Sequence, residues 1–265
     1  MAGDIAVSAD ETVAWVTLRH AGKFNAMSRA MWRSLKAVFD DLGADPALRC
    51  IVVKGDAGHF CAGGDIGEYP GFRFDPVLLQ EFHEDDVWGA LQAMLDCDVP
   101  LIAHIQGNCM GAGLEIASCC DLRLASTVAR FGAPIARLGF PMAPREAALV
   151  GRAVGEMTAR AMLLAADVFD APHMHTQGFL TRVLPESHLA DHVQALAQRI
   201  AALAPQAARM NKQTLRALNG RLALAGCAQC ATELIANDAA AYAYADSAEH
   251  REGVSAFIEK RPPGF

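Results

Sequence analysis

The stretch Gly107–Glu115, GNCMGAGLE, carries three glycines in nine residues and ends on a carboxylate. An apolar run, VPLIAHI (99–105), leads into it and reads as a buried strand. Glycine lets backbone approach a ligand closely, and the first turn of a helix presents unpaired N–H groups. A second joint of the same kind stands earlier in the chain. There CIVVKGD (50–56), a short buried strand, runs into a glycine-containing loop over 55–67 that includes HFCAGGDI (59–66). Either loop alone could bind phosphate at a helix start. However, 107–115 lacks the Lys-Ser/Thr of a P-loop, and Gly111-Ala112-Gly113 is not followed by the third glycine of a dinucleotide fingerprint. The other use of two such loops is an oxyanion hole, in which two N–H donors aim at one oxygen where negative charge develops.

Outward from these loops, the chain alternates β and α patterns. TVAWVTLRH (12–20) sets Val13 and Trp15 on one face and Val16 and Leu18 on the other, the pattern of a strand covered on both sides. SRAMWRSLKAVFDDLGADP (28–46) has apolar residues at helical spacing, with Ser28 as N-cap and Gly43 as the residue after the end. Residues 76–97 read as one helix with Val87, Leu91, Met94 and Leu95 as its inner stripe. CDLRLAS (120–126) and a short strand near Arg130–Phe131 continue the alternation, and from about residue 145 the pattern is mostly helical. The implied architecture is an α/β core over 1–200 with a C-terminal helical region over 201–265.

At 265 residues the chain can bury a substantial core without disulfides or metals. A net charge of −7 argues against nucleic-acid binding, which needs a basic face. The N-terminus MAGDIAVSADE reads as neither signal nor transit peptide, and no run of roughly 18 apolar residues suggests a membrane span. The expectation is a cytoplasmic protein whose eight cysteines are reduced. Cys227 and Cys230 form a lone CxxC without partner ligands, weak ground for a metal or redox site.

Four segments together, KFNAMS (23–28), HFCAGGDI, GNCMGAGLEIASCCD (107–121) and EGVSAFIEKRPPGF (252–265), resemble the enoyl-CoA hydratase/isomerase (crotonase) family in order and spacing. The resemblance runs from about residue 12 to the C-terminus. It implies a spiral of repeated ββα units with C-terminal helices that build a homotrimer, often paired into a hexamer. It also implies an acyl-CoA thioester as substrate, with no metal or other cofactor. By position, the backbone N–H groups of Gly64 and Ala112 would hold the thioester oxygen, and Glu115 would be the acid/base residue. Lys23, Phe24 and Ala62 fall beside the CoA, while Phe257 and Lys260 resemble residues that reach the CoA of an adjacent subunit. Asp65 reads as a brace for its loop and Asp121 as structural.

The stretch GFPMAPRE (139–146) departs from the family's usual Gly-rich turn, and one catalytic position departs from the family's hydratases. Their second catalytic glutamate belongs in an F-G-x-P-E segment, and this chain reads FGAPIARLGFP (131–141), with Ile135 in that place. A hydratase-like lyase remains the reading the resemblance favours. Isomerase, decarboxylase or thioester hydrolase chemistry with Glu115 alone, or a catalytically weak acyl-CoA-binding homologue, are the alternatives. Glu146 is either a second carboxylate swung toward the cleft or a solvated first-turn residue beside Arg145; its neighbour favours the latter. His104 reads as a satisfied core histidine, and His173 and His175 as turn residues before a strand. Met110, Met142 and Met162 are candidates for an acyl pocket or for plain core packing.

Overall fold

A computed structural model describes residues 2–225, 242 and 244–265. Among the described residues nine strands form two sheets. The larger holds β1 (Asp4–Ala9), β2 (Val13–Arg19), β3 (Cys50–Gly55), β4 (Leu101–Ile105), β6 (Leu122–Ser126) and β9 (Arg182–Leu184), in that spatial order. The smaller holds β5 (Asn108–Met110), β7 (Arg130–Gly132) and β8 (Val168–Asp170). The β1–β2 pair is antiparallel, and from β2 to β9 every neighbour in the large sheet is parallel. The β4 and β6 passes each leave a strand in the large sheet, then one in the small sheet, then a helix: β4, β5 and the helix Ala112–Cys119 form one such ββα turn.

Parallel strands buried on both faces read as apolar runs, and the large sheet follows that rule. Ala14, Val16, Leu18, Ile51 and Val53 face the main core with Trp32, Leu35, Phe39 and Leu91. Val13, Cys50, Val52, Ile102 and Leu124 face a second cluster closed by Leu189, Val193 and Ala197 of the helix Glu186–Ala201. Further on, the helix Pro205–Ala225 is tied to the core. Arg209 donates to the carbonyls of Asp45 and Leu48, and Lys212 reaches the Asp121 carboxylate at 2.8 Å. Asp121 also accepts from the Leu101 N–H at 2.7 Å, which gives it the structural role its position implied.

Several local expectations shift. Ser28 does cap the helix Arg29–Ala44, its hydroxyl accepting from the Met31 N–H. Gly43 lies inside that helix, close to Cys97, and Asp45 ends it. The segment 76–97 is not one regular helix. It runs as Pro76–Glu81, then a π-helical turn Phe82–Val87, then Trp88–Asp96. A π-turn inserts one extra residue per turn and so rotates the side chains around it, often at a functional site. His173 and His175 sit on a short helix, Ala171–Thr176, with the His173 ring stacked 4.2 Å from Phe169. His104 is buried, yet neither ring nitrogen has a hydrogen-bond partner among the described residues; burial lowers its pKa to about 4, with the Lys54 charge adding to the effect. Cys227 and Cys230 lie outside the described residues. Among the described residues no helix is long and apolar enough to cross a membrane.

Candidate active site

Two main-chain bridges build the site. Cys61 pairs with Cys109 as a parallel β-bridge, and Met27 pairs likewise with Gly64. The Cys61 N–H donates to Asn108 O at 2.8 Å and the Met110 N–H to Cys61 O at 2.9 Å, so the two glycine loops lie side by side. Each loop then turns through a glycine with positive φ, Gly63 at 115° and Gly111 at 47°, a region that L side chains rarely enter. The residue after each turn is one of the expected donors, Gly64 and Ala112. Among the described residues neither N–H makes a hydrogen bond, although the N–H groups of Ala62, Asp65, Met110 and Gly111 around them do. Ala112 opens the helix Ala112–Cys119, so its N–H has no intrahelical partner, and no side chain caps that end.

Both donors line a cavity of about 310 Å³, together with Glu115, Tyr69, Arg73, His83 and Ile135. The rest of its wall is mostly apolar and includes Ile66, Phe82, Val87, Phe140 and Met142. Met110 and Met142 join this wall, whereas Met162 is buried in the main core. Glu115 is one helical turn beyond Gly111, its N–H donating to Gly111 O at 3.0 Å. Its carboxyl has no hydrogen-bond partner among the described residues. Burial, with a smaller contribution from the Glu146 charge, pushes its pKa up to about 8. A carboxyl in that state is protonated at neutral pH and ready to give its proton up.

Glu146 is not solvated. It is 2 % exposed, in the first turn of the helix Pro144–Val154, and its Oε1 lies 3.1 Å from Nδ1 of His83. Arg145, the neighbour that argued for a surface position, pairs with Glu84 instead. A helix places adjacent residues about 100° apart, so Arg145 can face out while Glu146 faces in.

Asp65 braces its loop as expected. Its side chain accepts from Lys23 Nζ at 2.6 Å and from the Gly67 N–H, starting the 3₁₀ turn Ile66–Gly71. Burial alone would raise its pKa, but the Lys23 and Gly67 hydrogen bonds, with the charges of Lys23 and His20, hold it below the ordinary value. Ala62 donates its N–H to Phe24 O at 3.0 Å, which gathers Lys23, Phe24 and Ala62 at one edge of the site. Phe24 is 56 % exposed and leans edge-on against His59. Phe257 and Lys260, at the end of the helix Ala248–Glu259, are both exposed, and neither lines the cavity.

Tyr69, Arg73 and His83 are among the cavity residues that escaped the sequence reading. Tyr69 places its hydroxyl where a Cβ on Gly64 would fall. Arg73 stacks over the Phe140 ring at 3.5 Å. His83 was hidden because the 76–97 segment reads as a continuous amphipathic helix, on which a π-turn leaves no distinctive pattern.

A two-sheet α/β spiral with paired glycine loops over one carboxylate is the crotonase class of fold. The chain belongs to the enoyl-CoA hydratase/isomerase family, whose model matches residues 8–265. It is 30% identical over 263 residues to a probable enoyl-CoA hydratase of Mycobacterium bovis, covering 98% of this chain and 97% of that protein. It is also 30% identical over 265 residues to the 2,3-dehydroadipyl-CoA hydratase of Escherichia coli, covering 99% and 98%. A solved enoyl-CoA hydratase/carnithine racemase from Magnetospirillum magneticum has a TM-score of 0.89 at 31% identity, covering 98% of this chain and 94% of that one.

Proposed function

We propose that this protein is an acyl-CoA enzyme that polarises a thioester carbonyl through the N–H groups of Gly64 and Ala112 and hydrates a 2-enoyl-CoA. The observation that carries this reading is the unspent pair of N–H donors on the same cavity as Glu115. As water adds to the β-carbon, charge moves to the thioester oxygen, and donors fixed there favour the enolate over the neutral ester. Glu115, protonated near neutral pH, delivers its proton to the α-carbon. Lys23, Phe24 and Ala62 flank the CoA moiety, and Phe257 and Lys260 meet the CoA of a neighbouring copy in a homotrimer or a hexamer.

The test follows loss of the conjugated-thioester absorbance of trans-2-butenoyl-CoA with wild type and Glu115→Gln. Turnover by wild type, absent in the variant, supports hydration. Absence of turnover at high wild-type concentration, across chain lengths, sinks it.

A second reading is favoured by Ile135, which lines the cavity and stands where the resemblance would set the hydratases' second glutamate. Glu115 alone could move a proton between the α- and γ-carbons and shift a 3-enoyl double bond into conjugation. Formation of 2-enoyl-CoA from 3-enoyl-CoA, without hydration, identifies that reaction.

A further inference from the structure

The cavity contains more proton-transfer chemistry than Glu115. His83 lines it from the π-helical turn Phe82–Val87, with its side chain 22 % exposed, and Glu146 stands behind it, 3.1 Å from Nδ1. Among the described residues His83 supplies the hydrogen-bond partner of the buried Glu146 carboxylate. A carboxylate accepts only, so the Glu146 contact selects the tautomer in which Nδ1–H donates. That leaves Nε2 with its lone pair as an acceptor.

The surroundings leave the His83–Glu146 pair to itself. On the π-turn, Glu84 is taken by Arg145, and the buried Asp86 by Arg29 and Arg33, each at 2.6 Å. Across the cavity stand Tyr69 and Arg73 from the 3₁₀ turn and Glu115 from its helix. The Glu146 charge adds to burial in favouring the protonated form of Glu115.

We propose that His83, oriented by Glu146, is the second proton-transfer group of this site and takes the place of the carboxylate absent at Ile135. The inference rests on the acyl-CoA reading above and deepens it. In hydration, His83 Nε2 accepts a proton from water while the water oxygen bonds to the β-carbon. The C=C electron pair moves onto the thioester oxygen at Gly64 and Ala112. The enolate then re-forms the carbonyl as the α-carbon takes the proton of Glu115. His83 ends as imidazolium beside Glu146, Glu115 as carboxylate, and one proton returns from the first to the second through solvent. Glu146 is a positioning residue, since it acts through the imidazole.

The experiment compares wild type, His83→Ala, Glu146→Gln and Glu115→Gln on trans-2-butenoyl-CoA. His83→Ala is expected to lose ~10²–10⁴-fold in kcat with KM little changed, and added imidazole to restore part of it. Glu146→Gln is expected to lower kcat with KM little changed, because the imidazole loses the contact that orients it. A purely structural Glu146 would lower the melting temperature without this selective loss in kcat. His83→Asn, which keeps a polar group against Glu146, carries the comparison if His83→Ala does not fold. Wild-type turnover in the His83 and Glu146 variants, with Glu115→Gln inactive, overturns the dyad and leaves the hydratase reading standing. No turnover by wild type overturns both.

Discussion

Gly113 packs beneath Cys61: a Cβ at 113 would lie 2.7 Å from the Cys61 carbonyl oxygen and 2.9 Å from its Cβ. That contact is where the helix carrying Glu115 meets the loop carrying Gly64. The distance between the Gly64 and Ala112 N–H groups therefore depends on a residue that is neither of them.

Gly113→Ala should push the two loops apart. Overpacking of this kind costs about 1–3 kcal/mol, and here the opposing atom is backbone, which yields poorly. A lower melting temperature is expected, together with a kcat loss greater than that of an equally destabilising core variant such as Val53→Ala.

In the proposed reaction Ala112 contributes a backbone donor, so its side chain should matter little and its N–H much. Ala112→Gly is expected to keep kcat within a few-fold. Ala112→Pro keeps a residue that suits the first helical position but replaces the N–H with a ring carbon, and kcat should fall ~10²–10³-fold. Steady-state kinetics on the two variants, with circular dichroism to confirm folding, checks the donor assignment.

Glu115 ties activity and stability to pH. With its pKa raised to about 8, the acid form is lost as pH rises through that value, and kcat for hydration should decline on the alkaline side. A folded-state pKa above the ordinary 4.5 means that folding binds a proton. The resulting stability is complete below about 4.5 and is lost as pH rises toward about 8. Glu115→Gln cannot ionise, so its melting temperature should exceed that of wild type most clearly near pH 9, and thermal melts between pH 5 and 9 test this.

Asp65 behaves in the opposite sense. Its pKa is held below the ordinary value, so its pairing stabilises the fold above the unfolded-state pKa and the benefit fades as pH falls through the folded-state one. Lys23→Met should destabilise by ~1 kcal/mol at pH 7, a modest figure because the lysine is half exposed and screened. Urea melts at pH 7 and pH 3 should show the gap to wild type closing in acid.

The alternation of apolar strands with helical stripes, and two glycine loops each following a strand, were visible in the residues themselves. Strand burial, the Ser28 cap and the glycine clustering of the two loops are local patterns: they depend on side-chain type and on spacing within a few residues. Tertiary structure decided what depends on neighbours distant in the chain. Glu146 sits beside Arg145 in sequence but beside His83, 63 residues away, in space, and only packing could convert a solvated glutamate into a buried one. The π-turn that exposes His83 to the cavity has no periodic signature, and the Cys61–Cys109 bridge that joins the two donors links residues whose types do not advertise it. Sequence alone thus marked the two glycine loops, because backbone conformation at glycine is a local property, while the roles expected of Gly64, Ala112 and Glu115 came from the family resemblance. The meeting of Glu115 and His83 on one cavity, with Glu146 against His83, came from the fold, because burial and contact belong to the assembled molecule.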